Sequence, residues 1–193
     1  MKCCVFGAAS PLIDPTYIEA TEALCEKLAA AGHSLVFGAG ANGLMGAAAR
    51  GFKKGNAEII GVIPHFFREE EVEEIYGECT EIIYTDTMQE RKFTMEEKAD
   101  CFIIVPGGIG TFEEFFEVLT LKQLGRHNKP IVMYNINNYY QHLEEMMEQS
   151  MADKFINENC QTLYQITDDP DRLLAYLDDP NPQRFTVHEL KDG

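Results

Sequence analysis

The chain is poor in positive charge. Its 193 residues contain 16 lysines and arginines but 32 aspartates and glutamates, so the formal net charge is −16. A protein this acidic repels the phosphate backbone of nucleic acids, and we expect no DNA or RNA partner. An anionic ligand would need a locally basic pocket to overcome the repulsion, and the sequence can be searched for one.

Long apolar runs and metal-binding cysteine patterns are also missing. No apolar segment approaches the ~18 residues of a membrane-spanning helix, and the opening segment through Ala9 is too short and poorly ended for a signal peptide. The six cysteines include no C-x-x-C pair and no histidine cluster at zinc spacing. We therefore expect reduced thiols, no metal, no membrane contact and a cytoplasmic location.

The remaining composition is that of a globular domain, with 45% apolar and 25% charged residues. Short apolar runs alternate with segments of helical periodicity, which is typical of parallel strands joined by right-handed crossover helices. The pattern predicts a single doubly wound, Rossmann-like α/β domain with a mostly parallel sheet and helices on both faces. We assign it residues 1–178 and expect residues 179–193 to be a surface tail.

A first glycine-rich loop, Gly38-Ala39-Gly40-Ala41-Asn42-Gly43, follows the apolar run Leu35 to Phe37 and matches G-x-G-x-x-G. It is weak evidence for a dinucleotide, because it follows the second strand and the nearest acid for a ribose is Glu58, only 15 residues after Gly43. Two other interpretations stay open. In one, the glycines simply permit a tight turn; in the other, their bare amides contact a phosphate or sugar.

A second loop, Pro106-Gly107-Gly108-Ile109-Gly110-Thr111, leads from a buried-looking strand into a helix predicted from Phe112 to Leu124. Its glycines let several N–H groups converge at a helix start, which suits one phosphate. No lysine follows as in a triphosphate P-loop, so we expect a monophosphate. The structural alternative is a capping box, in which Thr111 caps the helix and Glu114 bonds back to the Thr111 amide.

The adjacent cations Arg91 and Lys92 supply the basic pocket that an anionic ligand requires. They fall in the first turn of a helix predicted from about Met88 to Ala99, directly after the strand Ile82 to Tyr84. In a doubly wound sheet, such loops after strands collect ligands. The alternative is a solvated helix face, on which Lys92 pairs with glutamates one turn further on.

Three segments together resemble the Lonely Guy family of cytokinin riboside 5′-monophosphate phosphoribohydrolases: Gly43-Leu44-Met45-Gly46, Met88-Gln89-Glu90-Arg91-Lys92 and Pro106-Gly107-Gly108-Ile109-Gly110-Thr111-Phe112-Glu113-Glu114. The resemblance implies hydrolysis of the N-glycosidic bond of an adenosine-type 5′-monophosphate, a cytokinin riboside monophosphate or AMP, to free base and ribose 5-phosphate. It also implies a homodimer and no cofactor. Members were often labelled lysine decarboxylases, but no histidine–lysine pair in a cofactor-binding context indicates pyridoxal phosphate.

The resemblance also assigns roles to residues. The family's catalytic arginine and glutamate fall on Arg91 and Glu114. The phosphate-binding positions fall on the second loop, with Lys92 nearby; the sugar and phosphate are bordered by the first loop and Ser10, and Met88 lies against the base. In this sequence the positions concerned are Ser10, Gly40, Gly43, Met88, Lys92, Gly107, Gly108, Ile109, Gly110 and Thr111.

Two departures from the family leave the preferred base open. Ala39 interrupts the family's three glycines, and Gln89 replaces its usual histidine. The alternative function is a non-catalytic carrier of a nucleotide or of the molybdenum cofactor, for which the same fold and phosphate loop suffice. A carrier needs the cation Arg91 but has no use for a carboxylate such as Glu114 facing the sugar, so the pair favours an enzyme.

Overall fold

The strands form wherever the sequence offers a short, continuous apolar run. In a computed structural model that describes residues 1–178 and 185–191, they are β1 (Lys2–Phe6), β2 (Ser34–Phe37), β3 (Ile59–Pro64), β4 (Glu81–Thr85), β5 (Cys101–Ile104), β6 (Ile131–Tyr134) and β7 (Gln165–Thr167). They form one seven-stranded sheet of order β4-β3-β2-β1-β5-β6-β7, and every pair is parallel. The predicted doubly wound α/β fold is confirmed.

Helices connect the strands. They are α1 (Pro15–Ala30), α2 (Gly43–Lys54), α3 (His65–Glu69), α4 (Met88–Lys98), α5 (Ile109–Gln123), α6 (Gln141–Ala152), α7 (Pro170–Asp178) and α8 (Val187–Lys191). The sequence determines the start of α1 directly, because the Asp14 carboxylate accepts a hydrogen bond from the Thr16 amide at 2.9 Å and Pro15 is the first helical residue. None of the described helices is long and apolar enough to cross a membrane.

The sheet is covered on both faces, which is why its central strands are apolar at consecutive positions. One buried layer joins alternate strand residues to α1, α2 and α7, and includes Leu28 and Phe52. The other joins the remaining strand residues to α4, α5 and α6, and includes Met95 and Phe115. Phe115 is therefore part of the core.

The strand order reverses between β1 and β5, so the loops that follow these two strands diverge to opposite sides of the sheet. A crevice opens at such a point, beyond the carboxyl ends of the strands. A hydrogen bond crosses this crevice: Ala8, in the loop after β1, donates its N–H to the carbonyl of Pro106, in the loop after β5, at 3.2 Å. The fold thereby brings the second glycine loop beside Ser10.

Three elements differ from the sequence-based expectation. Helix α5 begins at Ile109 with Gly108 as its N-cap, earlier than the expected start at Phe112, so Thr111 lies within the first turn. The capping-box prediction is wrong for this reason. Helix α3 was not predicted. In the segment 179–193, Leu190 of α8 is fully buried in the core rather than at the surface, while residues 179–184 and 192–193 lie outside the described part of the chain; the domain boundary stays a prediction.

Helices α1 and α2 pack at close range through Gly51. A Cβ at this position would collide with the Glu22 carbonyl oxygen and lie 2.7 Å from Cys25 Cβ. Because the obstacle is helix backbone, the contact cannot be relieved by a side-chain rotation. Glycine is required here despite its poor helix propensity.

We expect Gly51→Ala to lower the free energy of unfolding by about 1–3 kcal/mol, since overpacking outweighs the helix-propensity gain of roughly 1 kcal/mol. The measurement is urea unfolding followed by circular dichroism. Gly77→Ala is the matched control, because a Cβ there meets no atom within 4 Å. An increase in stability for Gly51→Ala would contradict the close packing of α1 and α2.

Candidate active site

A cleft of about 240 Å³ occupies the point where the strand order reverses. Its floor and walls come from the loops after β1 and β5 and from aromatic side chains of α1 and of the segment before α6. The Tyr139 hydroxyl donates a hydrogen bond to the Gly107 carbonyl at 2.6 Å, which fixes the second glycine loop. The lining residues are Ala8, Ser10, Ile13, Tyr17, Leu44, Pro106, Gly107, Gly108 and Tyr139.

The start of α5 offers unused hydrogen-bond donors to this cleft. Within the described residues, no acceptor bonds the amides of Ile109, Gly110 and Thr111, and the first bond of the helix is donated by Phe112 to the Gly108 carbonyl at 3.0 Å. A Cβ at Gly108 or Gly110 would meet no atom within 4 Å. These two glycines are not required by packing, and they leave the helix start open to an anion.

At the start of α2, by contrast, two backbone amides are already bonded to a carbonyl of the loop after β1. The amides of Leu44 and Met45 donate to the Ala8 carbonyl at 2.7 and 3.3 Å. Gly43 has a φ of 58°, and a Cβ there would lie 2.5 Å from the same Ala8 oxygen. The first glycine loop therefore serves a tight turn at Gly43, and the Leu44 and Met45 amides at its helix start are already bonded to the chain.

Arg91 is buried, with 6% of its surface exposed. Its Nε donates to the Val62 carbonyl at 3.1 Å and its Nη2 to the Gly38 carbonyl at 3.0 Å, so the guanidinium spans the carboxyl ends of β3 and β2. Phe67 lies under it, with the ring centroid 5.3 Å from Cζ. A side chain on Gly38 would collide with the guanidinium. The solvated-face interpretation is wrong for Arg91.

Glu114 lies in the second turn of α5, half-buried and facing the same region. Burial raises the pKa of its carboxyl to about 7; Arg91 and Lys92 oppose that rise, while the charge of Glu113 adds to it. Arg91 in turn has its pKa lowered by burial, and Glu114 is the largest influence opposing the shift. The structure thus brings Arg91 and Glu114 into mutual electrostatic range, as a cation and an acid that titrates near neutrality.

Lys92 is paired with carboxylates of α5. Its Nζ lies 2.5 Å from Glu113 Oε1 and 2.6 Å from Glu117 Oε2, and its side chain is 15% exposed. The ion pairs join the starts of α4 and α5. Burial raises the pKa of the neighbouring Glu96 to about 7. The proposed contact of Lys92 with a phosphate stays a prediction.

The other expected site residues fall around these groups. Ser10 is exposed at the cleft, and its Oγ accepts a hydrogen bond from the Leu12 amide at 3.3 Å. Met88 is half-exposed, with Sδ 3.9 Å from Arg91 Nη1. Arg91 and Glu114 do not line the cleft itself, but lie on the α4 and α5 side of the same sheet edge. In the described part of the chain, no group of three or more acidic, histidine or cysteine side chains is arranged to hold a metal ion.

Sequence reasoning missed the connection between β3 and β4, which places Phe67 and Glu73 beside Arg91. Burial raises the pKa of Glu73, and Arg91 opposes the rise. The sequence pattern predicted no helix or strand between these two strands, and a connection that long without predicted regular structure is often functional; this was the available signal. Glu58, the acid considered for a ribose, instead precedes β3 at the opposite, amino edge of the sheet.

Comparisons with known proteins identify relatives of this chain. A family model described as "possible lysine decarboxylase" matches residues 45–177. The chain is 33% identical over 183 residues to a cytokinin riboside 5′-monophosphate phosphoribohydrolase of Arabidopsis thaliana, covering 94% of this chain and 84% of the relative. It is 35% identical over 187 residues to a probable enzyme of that name from Oryza sativa subsp. japonica, covering 96% and 87%.

Solved structures share the fold at lower identity. The molybdenum cofactor binding protein of Rippkaea orientalis has a TM-score of 0.69 at 19% identity, covering 92% of this chain and 94% of that one. The molybdenum cofactor carrier protein of Chlamydomonas reinhardtii has a TM-score of 0.69 at 20% identity, covering 92% and 95%. At these identities the likeness concerns the fold alone. Through the family model and the plant relatives, which span most of its length, the chain belongs to the Lonely Guy family.

Proposed function

We propose that this protein is a phosphoribohydrolase that cleaves the N-glycosidic bond of adenosine-type nucleoside 5′-monophosphates, releasing the free base and ribose 5-phosphate. The observation that carries the proposal is the juxtaposition of buried Arg91 with Glu114, whose pKa is raised to about 7 by burial. Its substrate class is a cytokinin riboside 5′-monophosphate, the substrate that the names of the plant relatives state, or AMP.

The phosphate is bound mainly by backbone amides in this proposal. The free amides of Ile109, Gly110 and Thr111 point out of the start of α5, where the helix dipole adds a partial positive charge. Gly107 and Gly108 let the phosphate approach the backbone, and Ser10 lies across the cleft from them. One phosphate fits this set of donors, whereas no lysine stands ready for the outer phosphates of a triphosphate.

Glu114 and Arg91 act on the sugar. Departure of the base leaves positive charge on the ribose ring, which a carboxylate stabilises. A carboxyl group with a pKa near 7 is also matched to accepting a proton from the attacking water at neutral pH. Arg91, held by two backbone carbonyls, supplies a fixed positive charge that acts on Glu114.

A non-catalytic carrier of a nucleotide or of the molybdenum cofactor is the alternative, and turnover separates the two functions. The decisive experiment is incubation of the protein with AMP and, separately, with isopentenyladenosine 5′-monophosphate, followed by chromatography of the products. We expect the free base and ribose 5-phosphate in equal amounts. Tight binding of a nucleotide without release of base would support the carrier instead.

The proposal includes a homodimer. Phe93 on the outer side of α4 is 64% exposed and offers apolar surface that a second copy of the chain would cover. Tyr84 at the end of β4 is also exposed. Sedimentation velocity tests this part of the proposal separately from turnover.

We expect nucleoside 5′-monophosphates to be cleaved while the matching nucleosides are nearly inert. The phosphate supplies binding energy away from the reacting bond, and that energy is used at the sugar. The measurement is kcat/KM for AMP and for adenosine. Equal values would remove the assignment of the phosphate to Gly107 through Thr111.

The two adjacent cations should respond differently to substitution. We expect Arg91→Lys to lower kcat/KM by about 10²-fold or more, because an ammonium on a flexible stem lacks the rigid, planar set of donors with which the guanidinium bonds both carbonyls and fixes its charge. Lys92→Ala should lower it by less than about tenfold, since Lys92 is paired with Glu113 and Glu117. Both are measured at constant ionic strength to keep screening equal. Similar losses would indicate a diffuse basic patch.

Glu114→Gln should separate catalysis from stability. We expect kcat to fall roughly 10² to 10⁴-fold, because an amide neither accepts a proton from water nor opposes positive charge. The folded-state pKa of about 7 lies above the unfolded-state value of 4.5, so wild-type stability falls as the pH rises between them. The variant should therefore gain stability relative to wild type from pH 5 to pH 8, as measured by urea unfolding.

Glu113→Gln is the matched control for Glu114→Gln, because Glu113 is the exposed neighbour on the same helix. It should retain most of the activity. A folded Glu114→Gln protein that turns over AMP near the wild-type rate would exclude Glu114 from the mechanism and transfer the role to Glu113.

A further inference from the structure

The connection between β3 and β4 is bonded to the first glycine loop. The Ala41 amide donates to the Glu74 carbonyl at 2.8 Å, and the Tyr76 amide donates to the Ala39 carbonyl at 2.8 Å. Gly40 forms an isolated antiparallel bridge with Ile75. These backbone contacts fix the position of Glu73 over the end of β2.

The side chain of Glu73 is held in place without a hydrogen-bond donor. Its Oε1 is buried and has no partner among the described residues. A Cβ on Gly40 would collide with this oxygen and lie 2.6 Å from Met45 Cε, so the carboxylate lies directly against the bare backbone of the loop. A buried acceptor without a donor is costly, and such groups are uncommon unless a ligand or water supplies the bond.

The place of this carboxylate in the fold indicates which ligand group supplies the donor. In doubly wound nucleotide-binding folds, an acid beyond the glycine-rich turn hydrogen-bonds the ribose 2′-hydroxyl. The loop after β2 contains no acid, and Glu58 lies at the wrong edge of the sheet. Glu73 reaches the backbone of Gly40, beyond the end of β2, from the following connection, and Arg91 is the cation that acts on both Glu73 and Glu114.

We propose that Glu73 accepts a hydrogen bond from the 2′-hydroxyl of the substrate ribose and thereby makes the enzyme select ribonucleotides over 2′-deoxyribonucleotides. The inference rests on the proposed function, because it assumes that the nucleoside monophosphate occupies this edge of the sheet. Glu114 then acts at the reacting bond and Glu73 at the hydroxyl, with Arg91 between the two carboxylates.

The test compares kcat/KM for AMP and 2′-deoxy-AMP in wild type, Glu73→Met and Glu73→Gln. Methionine keeps the volume but cannot accept the bond, whereas glutamine keeps a neutral acceptor. We expect Glu73→Met to reduce the AMP to 2′-deoxy-AMP ratio roughly 10- to 100-fold, as for loss of a hydrogen bond to a charged group. Glu73→Gln should be intermediate. The intrinsic reactivities of the two substrates cancel when proteins are compared.

Glu74→Gln is the matched control, because its side chain is the exposed neighbour in the same segment, and its ratio should equal that of wild type. A Glu73→Met protein that loses activity equally on both substrates, or keeps the wild-type ratio, would overturn the inference. If wild type cleaves neither nucleotide, the proposed function fails. Isothermal titration of that inactive protein with AMP and 2′-deoxy-AMP then tests Glu73 separately, and equal affinities would reject its role as well.

Discussion

The burial of Arg91 is the constraint on which the rest of the site depends. A guanidinium removed from water needs acceptors for its donors and a nearby negative charge, or the cost of desolvation is prohibitive. Here two acceptors are the carbonyls of Val62 and Gly38 at the ends of adjacent strands, so the sheet itself orients the charge. Gly38 must lack a side chain for this reason. The counter-charge comes from Glu73 and Glu114, neither of which is bonded to Arg91.

This acidic chain thus forms its proposed anion site with little exposed positive charge. Lys92 stands close to Arg91 in sequence, but two glutamates of α5 neutralise it. The donors left over are peptide N–H groups at the start of α5, which carry only partial charges and are already fixed in direction. Because backbone amides cannot rearrange as a lysine side chain does, the ordering cost of binding falls mainly on the ligand.

Much of this fold follows from local sequence signals. The buried strands are continuous apolar runs, and Asp14 with Pro15 marks a helix start that local hydrogen bonding alone determines. The start of α5 was misplaced because Thr111 and Glu114 satisfy a capping pattern, while the glycine loop winds into the helix earlier. The partners of Lys92 and the position of Glu73 depend on tertiary contacts between elements far apart in sequence. No periodicity within residues 65–80 carries that information.

The backbone pairing of residues 39–41 with residues 74–76 has a consequence for local motion. Neither segment belongs to the central sheet, yet each supplies the acceptor for the other's amide. The two hydrogen bonds therefore break together when the segments separate. We expect the amide protons of Ala41 and Tyr76 to exchange with solvent deuterium through the same local opening. Separation of residues 74–76 from residues 39–41 would expose the Arg91 guanidinium from the side of the β3–β4 connection. Solvent would then reach this buried charge through local unfolding of the connection.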